Sequence, residues 1–228
     1  MQSQSTLRLY LDTAELDLWR EWMPSGLFYG LTTNPLLLER AQVACNLDTL
    51  SEMAHTGFEL GAQEIHMQVW GTSAEAMVAV GQQLAAIDAR IAVKVPITRV
   101  GCVCAQQLIA EGVRVTLTGV YAAYQVLTAI TLGADYAAPY LGRMNEAGRD
   151  GFDEIVTMHR MTQELGSPLK LLVASLRQVE DVGKLAQYGV NTFTIAPAIA
   201  TALFGDPLTA QAAADFERAA RAMGARDV

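Results

Sequence analysis

Long hydrophobic runs are missing from this sequence. No apolar stretch reaches the roughly 20 residues a membrane-spanning helix needs, and no basic-then-apolar leader opens the chain. The expectation is a cytoplasmic protein with no membrane partner. Cysteine is scarce. Cys45, Cys102 and Cys104 make an odd number without framework spacing, which argues against a disulfide scaffold and for a reducing compartment. The close pair Cys102 and Cys104 reads as small core residues of a helix rather than a redox couple. Histidine is scarce too, and no His/Cys/Asp cluster has metal-ligand spacing. His55 and His159 fall on expected helices, at the surface or an interface. Basic residues are outnumbered, with 16 Lys and Arg against 24 Asp and Glu, a formal net charge of −8. Such a surface repels nucleic-acid phosphates, so a nucleic-acid partner is not expected. A small anion is still allowed, because local arginines override the global sign. Neither G-x-G-x-x-G after the first strand nor G-x-x-x-x-G-K-[ST] occurs, which lowers the dinucleotide and nucleoside-triphosphate readings.

What is present is core-forming material. Apolar residues make up 51% of the chain, too much for disorder, and no linker or low-complexity segment divides it. One domain over residues 1–228 follows, within the roughly 200–250 residues typical of a single α/β barrel. Eight short apolar runs read as strands: Leu7–Leu11, Leu27–Leu31, Ile65–Val69, Ile91–Val95, Val115–Thr118, Ala134–Ala138, Leu169–Ala174 and Thr192–Ala196. Helical patterns lie between them. Met77, Val80, Leu84 and Ile87 form one stripe, and Ile155, Met158, His159 and Thr162 another. Strict alternation implies parallel strands with helical crossovers. Eight such units predict an α/β fold, a single (β/α)8 TIM barrel. Asp206–Met223 is expected to form one extra C-terminal helix, packing on its own barrel or on a neighbouring subunit.

Polar residues fall where these strands end. Asp12 follows Leu9-Tyr10-Leu11, and Thr32 and Asn34 follow Leu27–Leu31. Gln68 lies near the end of the third strand and Thr118 ends the fifth. Tyr140 follows the sixth; Ser175 and Arg177 follow the seventh. In this architecture functional groups gather at the C-terminal strand ends. Many such residues are only caps or turn formers. Thr13, Thr72, Ser73 and Thr98 read that way, and Asn34-Pro35 reads as a helix start. Lys94 is different. It is one of three lysines, with Lys170 and Lys184, and it sits mid-strand between Val93 and Val95. An unpaired ammonium is costly to bury, and the neutral amine that burial favours attacks carbonyls. The alternative is a structural salt bridge inside the barrel, for instance to Asp12. His66, two residues before Gln68, shares its strand face and reads as a satisfied core histidine.

Five segments resemble the short transaldolase family, and within it the fructose-6-phosphate aldolases. They are Leu9-Tyr10-Leu11-Asp12-Thr13-Ala14, Leu31-Thr32-Thr33-Asn34-Pro35, Val93-Lys94-Val95-Pro96-Ile97-Thr98, Ala138-Pro139-Tyr140-Leu141-Gly142-Arg143 and Val173-Ala174-Ser175-Leu176-Arg177. The resemblance runs from residue 7 to about 218. It implies class I aldol chemistry on a sugar phosphate, with no metal and no organic cofactor. Lys94 would form an iminium with the ketone. Asp12 would handle the proton of the C4 hydroxyl. Asn34 and Ser175 would bind the dihydroxyacetone portion, supported by Thr32, and Arg143 and Arg177 would clamp the phosphate. Gln68, Thr118 and Tyr140 would hold a water, an aldolase-like set where transaldolases carry Glu and Phe at the first and last of these positions. Thr116 also leans away from transaldolases, whereas Arg177 is transaldolase-like. Trp70 is expected to narrow the acceptor side, and the polar stretch Arg143–Gly151 to form a loop at the phosphate end. The resemblance implies a homo-oligomer too, a decamer built from pentamers. A transaldolase moving a dihydroxyacetone unit between sugar phosphates, and a non-catalytic phosphate-binding barrel, are the competing readings.

Overall fold

The computed structural model describes residues 7–226. Eight parallel strands alternate with helices: β1 Arg8–Asp12, β2 Gly30–Thr32, β3 Glu64–Gln68, β4 Ile91–Pro96, β5 Val115–Val120, β6 Tyr136–Pro139, β7 Lys170–Leu171 and β8 Thr192–Ile195. Neighbours follow chain order from β1 to β7, and β8 lies beside β1. A parallel bridge between Val173 and Phe193 closes the ring. It is backed by the Val173 N–H on the Thr192 carbonyl at 3.0 Å and the Thr194 N–H on the Val173 carbonyl at 2.8 Å. The fold is the expected (β/α)8 barrel.

Strand side chains alternate between two environments, as the period of two demands. Odd-numbered residues such as Leu9, Leu11, Leu31, Ile65, Met67, Val93, Val95, Leu117 and Phe193 pack outward. They meet Trp19, Leu50, Met53, Leu84, Leu108, Ile155 and Met158 from the helices. Each large side chain withdrawn from water there contributes about 1.5–3 kcal/mol, so this sheet–helix layer holds the barrel together. Even-numbered residues face the axis. Tyr10, Tyr136, Ala138 and Leu172 form a small separate apolar cluster inside the ring, and polar side chains fill the rest. Gly30 faces inward as well. A Cβ there would stand 2.1 Å from the Glu64 carbonyl oxygen and 3.0 Å from the Tyr10 ring, so glycine makes room for the tyrosine.

The expected helix stripes are found. Ala74–Ile87 buries Leu84 and half-buries Met77, Val80 and Ile87, and Gly151–Glu164 buries Ile155, Met158 and Thr162. Ser73, Thr98 and Asn34 cap helices through their side chains, and the Thr13 hydroxyl accepts the Glu15 N–H. Thr72 caps nothing; the neighbouring Ser73 takes that place. Cys104 is buried on helix Arg99–Ala110, Cys102 half-buried, and all three thiols are free. The last helix, Pro207–Ala222, starts on an Asp206 cap and buries no residue of its own.

Three expectations need correction. The second and seventh strands are shorter than their apolar runs. A 3-10 turn at Met23–Ser25 and Gly26 at φ 69° delay entry to β2, and regular pairing of β7 stops before Ser175 takes φ 60°. Arg143–Gly151 is not a loop throughout: Leu141–Glu146 is helical, and the Asn145 side chain ties the following turn to the Gly151 N–H at 2.9 Å. Trp70 packs against the outer hydrophobic core and is not among the residues lining the two recesses at the C-terminal strand ends.

Candidate active site

The ten residues singled out from the sequence converge at the C-terminal end of the barrel. Lys94 points inward from β4 and is 4% exposed. Its ammonium donates to the Thr33 carbonyl at 2.9 Å. The alternative salt bridge to Asp12 does not form. The Asp12 carboxylate, at the end of β1, instead accepts from the Thr32 hydroxyl at 2.6 Å, and Thr32 in turn bonds Thr194 at 2.5 Å. Thr32 and Thr194 are buried. Thr32, itself braced by Thr194, holds one oxygen of the carboxylate, and Asp12 lines the cavity at this end of the barrel.

Asn34 uses its side-chain oxygen on the N–H groups of Leu36 and Leu37, at 3.0 and 3.1 Å, to start helix Pro35–Arg40. This capping fixes the amide, so its NH2 is the group left to face a ligand. Across the ring, Gly142 lets the helix after β6 touch the end of β7. Its N–H meets the Ser175 carbonyl at 2.8 Å, and a Cβ would stand 2.4 Å from that oxygen. Ser175 sits in the left-handed region at φ 60°, uncommon for a non-glycine residue. Its hydroxyl is buried without a hydrogen-bond partner, as is that of Thr33. An unpaired buried hydroxyl costs about 1–3 kcal/mol, a cost that a ligand oxygen at the same place offsets.

A cavity of about 130 Å³ is lined by Asp12, Asn34, Lys94, Tyr140, Arg143, Ser175 and Arg177, over a floor of Ala138, Leu172 and Ala174. A second recess of about 200 Å³ shares Asn34, Tyr140 and Arg143 and adds Gln68 and Thr118. The Tyr140 and Thr118 hydroxyls are 2.8 Å apart, and the Gln68 amide is free of other partners. The Tyr140 ring meets Tyr121 edge-on at 5.5 Å. Arg143 lies 5.1 Å from the Tyr140 ring centroid and donates to the Tyr121 hydroxyl at 3.3 Å. That contact pushes the Arg143 guanidinium further toward its charged form. Arg177 faces the same cavity but is engaged by Glu146 at 2.8 Å.

Chemically, the site offers one amine, one carboxylate, a tyrosine–threonine hydroxyl pair and three guanidinium groups, those of Arg40, Arg143 and Arg177, around a space for a small polar molecule. Among the described residues no group of three or more His, Cys, Asp or Glu is placed to hold a metal ion, and no helix is long and apolar enough to cross a membrane. Sequence reasoning missed Thr194, Tyr121 and Arg40. Thr194 was legible in the alternation of the eighth strand. Tyr121 acts through Arg143 from beyond the bulge that follows Thr118, where no periodicity reaches. Arg40 reaches the cavity from the end of a short helix, which only the fold reveals.

This arrangement of a (β/α)8 barrel with a lysine, a carboxylate and paired arginines at its C-terminal rim defines an aldolase-type site. The family described as Transaldolase/Fructose-6-phosphate aldolase matches residues 9–227, and the chain belongs to it. A protein of Thermus thermophilus named probable transaldolase is 36% identical over 208 residues, covering 89% of this chain and 93% of its own. One of a Caulobacter strain with the same name is 33% identical over 203 residues, covering 89% and 91%. Membership makes the protein an enzyme of the aldolase type. More distant barrels share the fold alone. A mandelate oxidase variant superposes with a TM-score of 0.59 at 14% identity, over 84% of this chain and 66% of that one. A flavocytochrome b2 variant with sulfite bound gives 0.58 at 11%, over 83% of this chain and only 56% of its own.

Proposed function

We propose that the protein is a Schiff-base aldolase that interconverts fructose 6-phosphate with dihydroxyacetone and glyceraldehyde 3-phosphate. The Lys94 nitrogen attacks the ketone carbon, and loss of water gives an iminium. Asp12 takes the proton of the C4 hydroxyl, the C3–C4 bond breaks, and its electron pair passes into the iminium to give an enamine. Glyceraldehyde 3-phosphate leaves from the side of Arg143 and Arg177, whose forks suit phosphate oxygens. The enamine takes a proton at C3, and a water held by Gln68, Thr118 and Tyr140 hydrolyses the restored iminium to free dihydroxyacetone. Asn34 and Ser175 hold the three-carbon unit meanwhile, Ser175 through its unpartnered hydroxyl.

The observation that carries this reading is the Tyr140–Thr118 pair at 2.8 Å in the recess that Gln68 also lines. A proton-relaying group beside the water favours hydrolysis over transfer. The second reading is a transaldolase, in which the enamine attacks another aldehyde. The names of the relatives and the arginine at position 177 favour it. Incubation with fructose 6-phosphate and no acceptor separates the two: the aldolase accumulates dihydroxyacetone, and its absence together with turnover on erythrose 4-phosphate makes the protein a transaldolase. A phosphate-binding barrel without activity would have no use for a buried amine.

The three free thiols suit a reducing compartment, hence the cytoplasm. For assembly we propose a homo-oligomer, a decamer built from pentamers, joined through Pro207–Ala222. Leu208 and Phe216 on that helix are 78% and 73% exposed, more apolar surface than a solvated helix needs. Removal of residues beyond Gly205 is expected to reduce the mass seen by light scattering; an unchanged mass removes that role.

A further inference from the structure

Below the reacting layer lies a group of buried polar side chains that the mechanism above does not use. The Glu64 carboxylate, 1% exposed, accepts from the Tyr10 hydroxyl at 2.9 Å and meets His66 Nε2 at 2.6 Å through the same oxygen. Its other oxygen pairs with Arg114. The opposite ring nitrogen of His66, Nδ1, is 2.8 Å from the Thr116 hydroxyl. His66 and Thr116 are both fully buried. Thr116 stands in register with Lys94 on the neighbouring strand, and His66 lies two residues before Gln68, which is in register with Lys94 on the other side. Thr116 therefore flanks the nucleophile on one neighbouring strand, and His66 lies one inward-facing position below Gln68 on the other.

The hydrogen positions follow from charge. Burial pushes the Glu64 carboxyl up, but His66 and Arg114 outweigh it and hold the group ionised, at about 2. A carboxylate only accepts, so His66 Nε2 carries the proton. Burial keeps His66 below its ordinary value, and Lys94 and Arg114 add to this while Glu64 opposes it. Further titratable groups around the ring are Tyr10 and Tyr136, whose rings meet it edge-on at 5.1 and 4.9 Å. A neutral ring with Nε2 protonated has a lone pair on Nδ1, so Thr116 donates to it. Each hydrogen bond then points its donor toward Glu64, and the chain ends at the Thr116 oxygen, on the strand in register with Lys94.

We propose that His66 and Thr116 are positioning residues for the iminium step, aligning a chain of dipoles anchored on the Glu64 carboxylate whose negative end lies at Thr116, on the strand beside Lys94. When the amine adds to the ketone and water departs, positive charge develops on the lysine nitrogen. An oriented, water-free chain of hydrogen bonds stabilises that charge without reorganising. This rests on the Schiff-base reading.

The experiment is borohydride trapping with fructose 6-phosphate across pH, the adduct located by mass, on the parent and on Thr116→Val, Thr116→Ser and His66→Gln. Thr116→Val keeps the volume and removes the donor. Each of Thr116→Val and His66→Gln is expected to slow trapping at the plateau about tenfold, the scale of one net hydrogen bond. The acid limb moves to lower pH, since a cation at Lys94 loses support, and Thr116→Ser restores both. The double variant is no slower than the slower single. Folded variants with the parent's rate and limb, or strictly additive losses, overturn the inference. A second arm needs no ketose. Nitrogen NMR of the parent shows the Nε2–H tautomer, and Lys94→Met moves the His66 titration upward; a titration that does not move overturns the coupling. If the parent is trapped at Lys94 and the variants are indifferent, this inference alone fails. If the parent is never trapped, the Schiff-base reading fails and takes this one with it.

Discussion

The two ends of the barrel interior are both polar, yet they are built in opposite ways. At the lower end Glu64 has three partners, His66 two, and the tyrosines bond one another or Glu64. At the upper end the hydroxyls of Ser175 and Thr33 have none, the Gln68 amide is free, and Lys94 has one carbonyl. Buried polarity alone therefore does not mark an active site. Incomplete satisfaction beside a cavity does, because the missing partners are those a substrate brings. The lower network is a foundation, and the upper one a half-finished set of hydrogen bonds.

The comparison breaks first at Lys94. Lys94→Met is expected to remove turnover and borohydride trapping down to background while leaving the circular dichroism of a folded barrel. Retained activity, or trapping at Lys170, would falsify the upper end as the reacting layer. Lys170 lies at the opposite end, exposed, with its ammonium 5.4 Å from the centroid of the Tyr136 ring. Tyr140→Phe is the next largest. Loss of a proton-relaying group costs about 10²–10⁴-fold, and here it falls on dihydroxyacetone release. Transfer to an added aldehyde survives better, so the ratio of the two products reports the residue's role. Equal losses in both would make Tyr140 a packing residue.

How much of this contrast was legible in the sequence follows from periodicity. The odd–even alternation of the strands separates outer core from axis, while position at the strand ends marks Asp12, Thr118 and their companions, and a mid-strand lysine between valines marks Lys94. The alternation does not distinguish upper from lower end in chemical terms. Glu64 stands one residue before the third apolar run, and nothing local marks it as buried. Only closure of the ring brings it against Tyr10, 54 positions away, and Arg114, 50 positions away. The pairing of Arg177 with Glu146 was hidden for a like reason, since the segment between Arg143 and Gly151 reads as loop and folds partly as helix. Local signals were readable where one strand or cap decides the outcome; partners set by barrel closure were not.

The lower end is expected to answer in stability. Glu64 is held at about 2, below its ordinary 4.5. A depressed carboxyl contributes stability that is complete above the unfolded value and lost as pH falls from about 4.5 toward about 2. His66, kept neutral by burial, acts in the same direction. The unfolded chain takes up a proton below its ordinary 6.5 that the folded ring resists, so stability begins to decline there. Denaturant midpoints of the parent are expected to fall from pH 6.5 downward, most steeply below 4.5. Glu64→Gln removes the lower part of that slope and costs roughly 3 kcal/mol near neutrality, through the loss of a buried charge partner for Arg114 and His66. An unchanged acid slope would mean the network does not hold the ionised carboxylate that its geometry requires.

The smallest expected effect tests the rim where the contrast is least sharp. Arg177 is the one site residue at the upper end whose side chain is already paired with a charge, and its contact with Glu146 is exposed on both sides. Exposed pairs contribute about 0.2–1 kcal/mol, so Glu146→Gln frees the guanidinium at little cost in stability. If Arg177 turns to the phosphate on binding, the parent breaks this pair for each substrate. The variant does not, and its KM for fructose 6-phosphate falls by up to about fivefold at low salt, with kcat unchanged. Salt screens exposed charges within about 10 Å at 0.1 M, so the advantage shrinks as ionic strength rises. A raised KM would show the opposite arrangement, with Glu146 orienting Arg177 for the phosphate; the rim would then be as fully prepared as the network beneath it.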